Sequence, residues 1–261
     1  MKNIDKLKGS VDFIKTFIYQ LDYKENDVRK AYFENLYSII DGFYLGKVYF
    51  EISTQIKNRK INIIGLKPHV LRIYEVADHP LLTDSFHNEL NRKLFIDSFT
   101  NFETTIDLCF DNLKTDEILK KIITDLNSKL VKLINECGNK DEIINQLMKN
   151  TFIPLMRKFK FLAKRQKECY GKNYNQDIKF IDFCTKLRNC LLHSSGYYKG
   201  KDFEFEFDSV KFIFIKDEFL EIKGENDYIF LKISENLTNI AMQVFNCFKD
   251  IDYLKYPDDG F

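Results

Sequence analysis

Arg188, Asn189 and His193, in the stretch "KLRNCLLHSSGYYKG" (186–200), are the residues whose types and spacing suit chemistry best. On a helix turning ~100° per residue, Asn189 and His193 share a narrow stripe with Asp182 and Lys186, opposite an apolar stripe of Phe180, Cys184, Leu187 and Leu191. Arg188 projects roughly 100–140° from both Asn189 and His193, on the flank between the stripes. An imidazole titrating near neutrality takes a proton from a ribose 2′-hydroxyl or gives one to a leaving 5′-oxygen, and a guanidinium holds non-bridging phosphate oxygens. Together they suit cleavage of a phosphodiester, with the arginine stabilising transition-state charge and no metal or cofactor called for. One chain alone does not converge the three groups well; a two-fold contact through this helix end doubles the set. The plainer reading pairs Arg188 with a carboxylate at the core edge and lets His193 stabilise the helix C-terminus, worth ~0.3–1 kcal/mol.

A second cluster lies just upstream. The run "RKFKFLAKRQKECYGK" (157–172) holds seven basic residues against the single acid Glu168. Arg157, Lys160, Lys164 and Lys167 fall on one helical face, with Phe159, Phe161, Tyr170 and Tyr174 interleaved or adjacent. A cationic face beside aromatic rings tracks a phosphate backbone and stacks unpaired bases, or is simply a solvated helix surface.

The remaining reactive residue types point nowhere so definite. His69, His79 and His87 lie near prolines or a helix start, with no metal-ligand spacing, and read as loop or capping residues. Ser194 and Ser195 lack the GxSxG elbow of a nucleophilic serine. Cys109, Cys137, Cys169, Cys184, Cys190 and Cys247 stand singly in apolar surroundings and read as reduced core thiols. The N-terminal "MKNIDKLKGS" has no apolar signal region, and no window approaches ~18 uninterrupted apolar residues, so a cytoplasmic protein with no membrane partner is expected. Forty basic against 39 acidic side chains give a net charge of +1, which excludes a broadly basic nucleic-acid coat and gives the local excess at 157–172 its weight.

The elements that must position these residues are mostly helical. With 44% apolar residues in 261, the chain can bury a substantial core. Apolar spacing predicts two helices over 10–40 with a break near Tyr23 to Asn26. Between Gly42 and Leu82 the glycines, prolines and the runs "KVYFEIS" and "KINIIG" predict loops with a short hairpin. A long helix follows over 83–113, then one starting after a Thr115 cap and running through Ile134 to a stop at Gly138, a short one over 141–149, one over 152–168, and the helix ending at His193. The runs "KDFEFEFD", "KFIFI", "FLEI" and "YIFLKI" predict a small antiparallel meander over 203–233, and Ser234 is placed to cap a last amphipathic helix.

With these residues in view, "FCTKLRNCLLHSSG" resembles the signature of the HEPN (higher eukaryotes and prokaryotes nucleotide-binding) superfamily: an arginine, a polar residue and a closing histidine at a helix end, matched by Arg188, Asn189 and His193. The helix "LFIDSFTNFETTIDLCF", with Glu103 in its middle, is similar to the first core helix of many such domains. Glu103 reads either as a buried partner for Arg188 or as another polar core group. The resemblance covers about 83–250 and implies a mainly α, HEPN-like helical bundle that forms a homodimer through the motif helix. It also implies a metal-independent endoribonuclease leaving 2′,3′-cyclic phosphate ends, in a toxin–antitoxin, abortive-infection or CRISPR defence setting with an antitoxin or defence-system partner. Residues 1–82 then form an N-terminal helical and loop extension, the β-meander at 203–233 an insertion, and 251–261 a tail. The alternatives are a non-catalytic HEPN-like module binding RNA, nucleotide or a protein, and a helical scaffold recruiting a partner by strand pairing at 203–233.

Overall fold

Helical periodicity and its interruptions set the first layer. In a computed structural model that describes residues 2–20, 27–58, 79–126, 140–165, 170, 173–193, 196–224, 226 and 228–245, α1 (Lys2–Gln20) and α2 (Val28–Lys57) form the expected N-terminal pair. Contrary to the expectation of loops and a hairpin after Gly42, α2 runs straight through Gly42, Gly46 and "KVYFEIS". Packing overrides propensity here. A Cβ at Gly46 would stand 2.7 Å from Leu90 Cδ2, so glycine lets α2 approach the next long helix closely. The hydroxyls of Ser53 and Thr54 bond back to the carbonyls of Tyr49 (2.8 Å) and Phe50 (3.1 Å), satisfying these weak helix formers within the helix. "KINIIG" lies outside the described residues.

The long helix α3 (Pro80–Leu113) starts with a proline in its first turn after His79 and buries Leu94, Phe95, Phe99, Phe102, Ile106, Cys109 and Phe110 at helical spacing. Helix α4 (Asp116–Leu126) begins as expected, with Ile118 N–H donating to Thr115 Oγ1 at 3.4 Å; its expected extension to Ile134 and the Gly138 stop lie outside the described residues. Next come α5 (Lys140–Asn150), α6 (Leu155–Arg165) and α7 (Tyr174–His193). α3 packs against α2, α6, α7 and the last helix, α8 (Ile229–Phe245), and so forms the spine of the bundle. Residues of α1 and α2, part of the stretch set apart by sequence as an extension, belong to the same buried cluster. Asn101 Nδ2 of α3 donates to the Tyr32 carbonyl of α2 at 2.9 Å inside it.

The strands form two small antiparallel sheets. β1 (Tyr197–Tyr198) pairs with β4 (Glu218–Phe219); β2 (Phe203–Phe207), β3 (Val210–Phe214) and β5 (Glu221–Lys223) lie in the order β2-β3-β5. Asp208 and Ser209, both with positive φ (50° and 62°), make the two-residue primed turn of the β2–β3 hairpin. The expected strand "YIFLKI" is instead the start of α8, whose buried Ile229, Ile233, Leu237, Ile240, Val244 and Phe245 follow a helical period. A short apolar run cannot by itself distinguish strand from buried helix. Ser234 is accordingly mid-helix, its hydroxyl bonded to the Phe230 carbonyl. Asn226 makes the cap, its Oδ1 accepting from Tyr228 N–H at 3.0 Å.

Candidate phosphodiester site at the end of α7

α7 is wrapped from two sides. Phe180, Cys184 and Leu187 are buried as their spacing predicts, but so are Phe183 and Cys190. The β2-β3-β5 sheet covers Phe183, and Phe180 meets the same sheet at Phe207 (ring centroids 5.0 Å), while Cys190 lies further along, toward Tyr197 and Tyr198 of β1. Phe183 stacks on Phe205 (ring centroids 4.4 Å, planes 9° apart) and meets Phe212 at 4.9 Å. Burial pushes the Cys184 thiol well above its ordinary value and, less strongly, that of Cys190, leaving both as inert core groups. Cys109 is likewise a buried core thiol; Cys137, Cys169 and Cys247 lie outside the described residues.

On the remaining open flank, Arg188 and Asn189 come together more closely than helical angles suggest, since the long guanidinium reaches around the helix. Arg188 Nη1 donates to Asn189 Oδ1 at 3.2 Å. Arg188 Nη2 lies 3.7 Å from Glu103 Oε2 on α3, both side chains about one quarter exposed. This decides the role of Glu103: it is the arginine's counter-ion. Arg188 Nε has no acceptor among the described residues. His193 is the final residue of α7; its side chain, like Ser194 and Ser195, lies outside the described residues. Asp182, weighed as a partner for the histidine, is engaged by Lys186 one turn on, and the Lys186 ammonium also lies over the Phe203 ring at 4.5 Å.

The helix ends with two further fixtures. Gly196 N–H reaches back to the Cys190 carbonyl at 2.9 Å, in a residue with φ +93° that glycine adopts without strain. Arg92 of α3 donates from Nη2 to the Leu191 carbonyl at 3.0 Å, placing a second guanidinium at this helix end. Sequence gave no sign of Arg92; its only local signature is an ordinary pairing with Glu89 at 3.2 Å. Also missed was the cleft of about 510 Å³ beside Asn189, formed where β1 leaves the helix and lined by Lys186, Tyr197, Lys199 and Gly200.

The basic helix α6 keeps part of its expected form. Arg157 and Lys164 are exposed and Lys160 half-exposed on one face; Lys167 lies outside the described residues. Its aromatic partners do not line that face. Phe159 and Tyr170 are buried, and Phe161 packs edge-on against Phe110, because the apolar side of this amphipathic helix is what docks it on α3. Tyr170 donates its hydroxyl to buried Asp177 Oδ2 at 2.9 Å, and burial raises the Asp177 carboxyl above its usual range while that bond opposes the rise. Lys158 pairs with Asp107 at 2.9 Å, one turn along α3 from Glu103.

Of the other histidines, His79 precedes the first turn of α3 without a side-chain cap, His87 Nδ1 lies 3.2 Å from Lys47 Nζ, and His69 is outside the described residues. No group of three metal-ligating side chains gathers among the described residues, and no described helix is long and apolar enough to cross a membrane. Comparison with protein-family models, with curated proteins and with solved structures found no match to this chain.

Proposed function

We propose that this protein is a HEPN-like endoribonuclease that cleaves single-stranded RNA without a metal, using Arg188 to hold the scissile phosphate, Asn189 to orient the guanidinium and His193 to move the proton. The observation that carries the reading is the Arg188–Asn189 hydrogen bond on the open flank of the last turns of the helix that His193 ends. A second copy of α7 across a two-fold axis doubles the set, as the resemblance implies. In-line attack by the 2′-oxygen then forms a 2′,3′-cyclic phosphate and releases a 5′-hydroxyl: the imidazole accepts the 2′ proton and an imidazolium protonates the leaving oxygen. A cytoplasmic defence or toxin–antitoxin role with an inhibitory partner fits such an activity.

The test is incubation of the purified chain with labelled RNA in EDTA. Cleavage with cyclic phosphate ends, lost in both Arg188→Ala and His193→Ala, is expected; activity unchanged in His193→Ala refutes the mechanism. The Glu103 ion pair favours one second reading, in which Arg188 is structural and the module binds RNA or nucleotide without cutting it. A folded protein that shifts RNA mobility but leaves it intact would decide for that reading.

A further inference from the structure

We propose that the cleft between the end of α7 and the β1–β4 ribbon is a subsite for one unpaired nucleotide of a single-stranded RNA, with its base stacked on the Tyr197–Phe219 pair. This rests on the ribonuclease reading only for where the scissile phosphate lies.

Three observations converge. Tyr197 lines the cleft and meets Phe219 across the β1–β4 pairing, ring centroids 5.5 Å apart at 81°. Phe219 is 70% exposed, an apolar ring that folding leaves in water, here braced by a second ring that lines the cleft. Such a ring offers its face to any base that is free of its own stack. The polar groups suit the rest of a nucleotide. Lys199 is exposed and has no ion-pair partner among the described residues, while Lys186 borders the same space. Asn189 spends its Oδ1 on Arg188, which leaves its two Nδ2 hydrogens for a ligand oxygen. That bond also ties the cleft to the arginine.

The floor is built rather than incidental. A Cβ at Gly200 would stand 2.3 Å from Tyr198 Oη, and that hydroxyl donates to the Lys201 carbonyl at 2.9 Å, closing the 198–201 turn tightly under the cleft. Asp217 N–H donates to the Tyr198 carbonyl and Leu220 N–H to the Gly196 carbonyl, closing both ends of the β1–β4 ribbon that carries the rings, and the Gly196 N–H bond to the Cys190 carbonyl ties that ribbon to the helix end. A duplex buries its bases in its own stack and cannot use such a platform, so the subsite selects single strands.

The experiment uses the full chain and a short 2′-O-methyl RNA, which cannot be cleaved at the 2′ position, carrying one 2-aminopurine whose fluorescence falls on stacking. Wild type should bind and quench it. Phe219→Ala and Tyr197→Ala should weaken binding roughly five- to a hundredfold and lose the quench, by the usual worth of a base–aromatic stack. Phe219→Trp and Tyr197→Phe should retain both. Because Phe219 is exposed, its alanine variant is expected to melt like wild type, which separates lost stacking from lost folding. Binding and quench unchanged in Phe219→Ala, equal competition by a duplex, or no binding by wild type overturns the proposal. If ordinary RNA is cut in an Arg188-dependent way while both alanine variants bind and cut normally, the subsite falls alone. If the modified strand binds and quenches but ordinary RNA stays intact, the nuclease reading falls alone.

Discussion

Replacing Phe183 by alanine should detach the sheet from α7, and the cost follows from its surroundings. The ring is fully buried, stacked on Phe205 at 4.4 Å and in contact with Phe180 and Phe212 at 5.9 and 4.9 Å. Truncating a buried phenylalanine costs about 3–5 kcal/mol in lost transfer energy and residual cavity, and the aromatic pairings put Phe183 toward the upper half of that range. For a chain of this size about 4 kcal/mol corresponds to a fall in Tm of roughly 8–16 °C. Against a typical total stability of about 5–15 kcal/mol, the variant remains folded at low temperature but marginal. Urea unfolding followed by far-UV circular dichroism measures the difference directly, with Phe219→Ala as the control expected within about 0.5 kcal/mol of wild type. A Phe183→Ala cost below about 1.5 kcal/mol would mean that the ring does not bridge helix and sheet, and the account of α7 as buried on two faces would be wrong.

Two further outcomes follow from charge. Burial raises the Asp177 carboxyl, so the folded chain holds that proton to higher pH than the unfolded chain; stability contributed by the neutral form is therefore lost as pH rises from the ordinary value of 3.8 through the raised one. Asp177→Asn, which keeps an acceptor for Tyr170, should flatten this fall, and denaturation curves of the two proteins that stay parallel across that interval would count against it. On α6, Arg157→Ala and Lys164→Ala should each weaken single-stranded RNA binding and reduce the slope of log affinity against log salt by about 0.7 per lost phosphate contact; an unchanged slope in a salt titration would remove α6 from the RNA path.

Where apolar residues recur with a clear period, the sequence was readable: α1 with the first half of α2, α3, α6 and α7 follow their spacing, and the Asp208–Ser209 hairpin arises from an alternating run. The misreadings share one cause, the dominance of distant contacts over local preference. Gly46 looked like a helix breaker and is instead the point where α2 meets Leu90. "YIFLKI" carries strand-forming residues, yet α3 buries them as a helix. Arg188 and Asn189 were legible as a pair of reactive types at a helix end, but their direct bond and the choice of Glu103 depend on side-chain reach and on a helix far away in the chain. Arg92 and the Tyr197 cleft have no local pattern; they exist only because α3 and the β1–β4 ribbon are brought to the end of α7.

The 3.7 Å separation between Arg188 and Glu103 sets how firmly the arginine is leashed. A partly exposed pair at that distance is worth at most about 1 kcal/mol. An incoming anion that takes the guanidinium away from its carboxylate therefore forfeits no more than about a fivefold factor in affinity. The tether is strong enough to keep the cation from wandering and weak enough to yield it on demand.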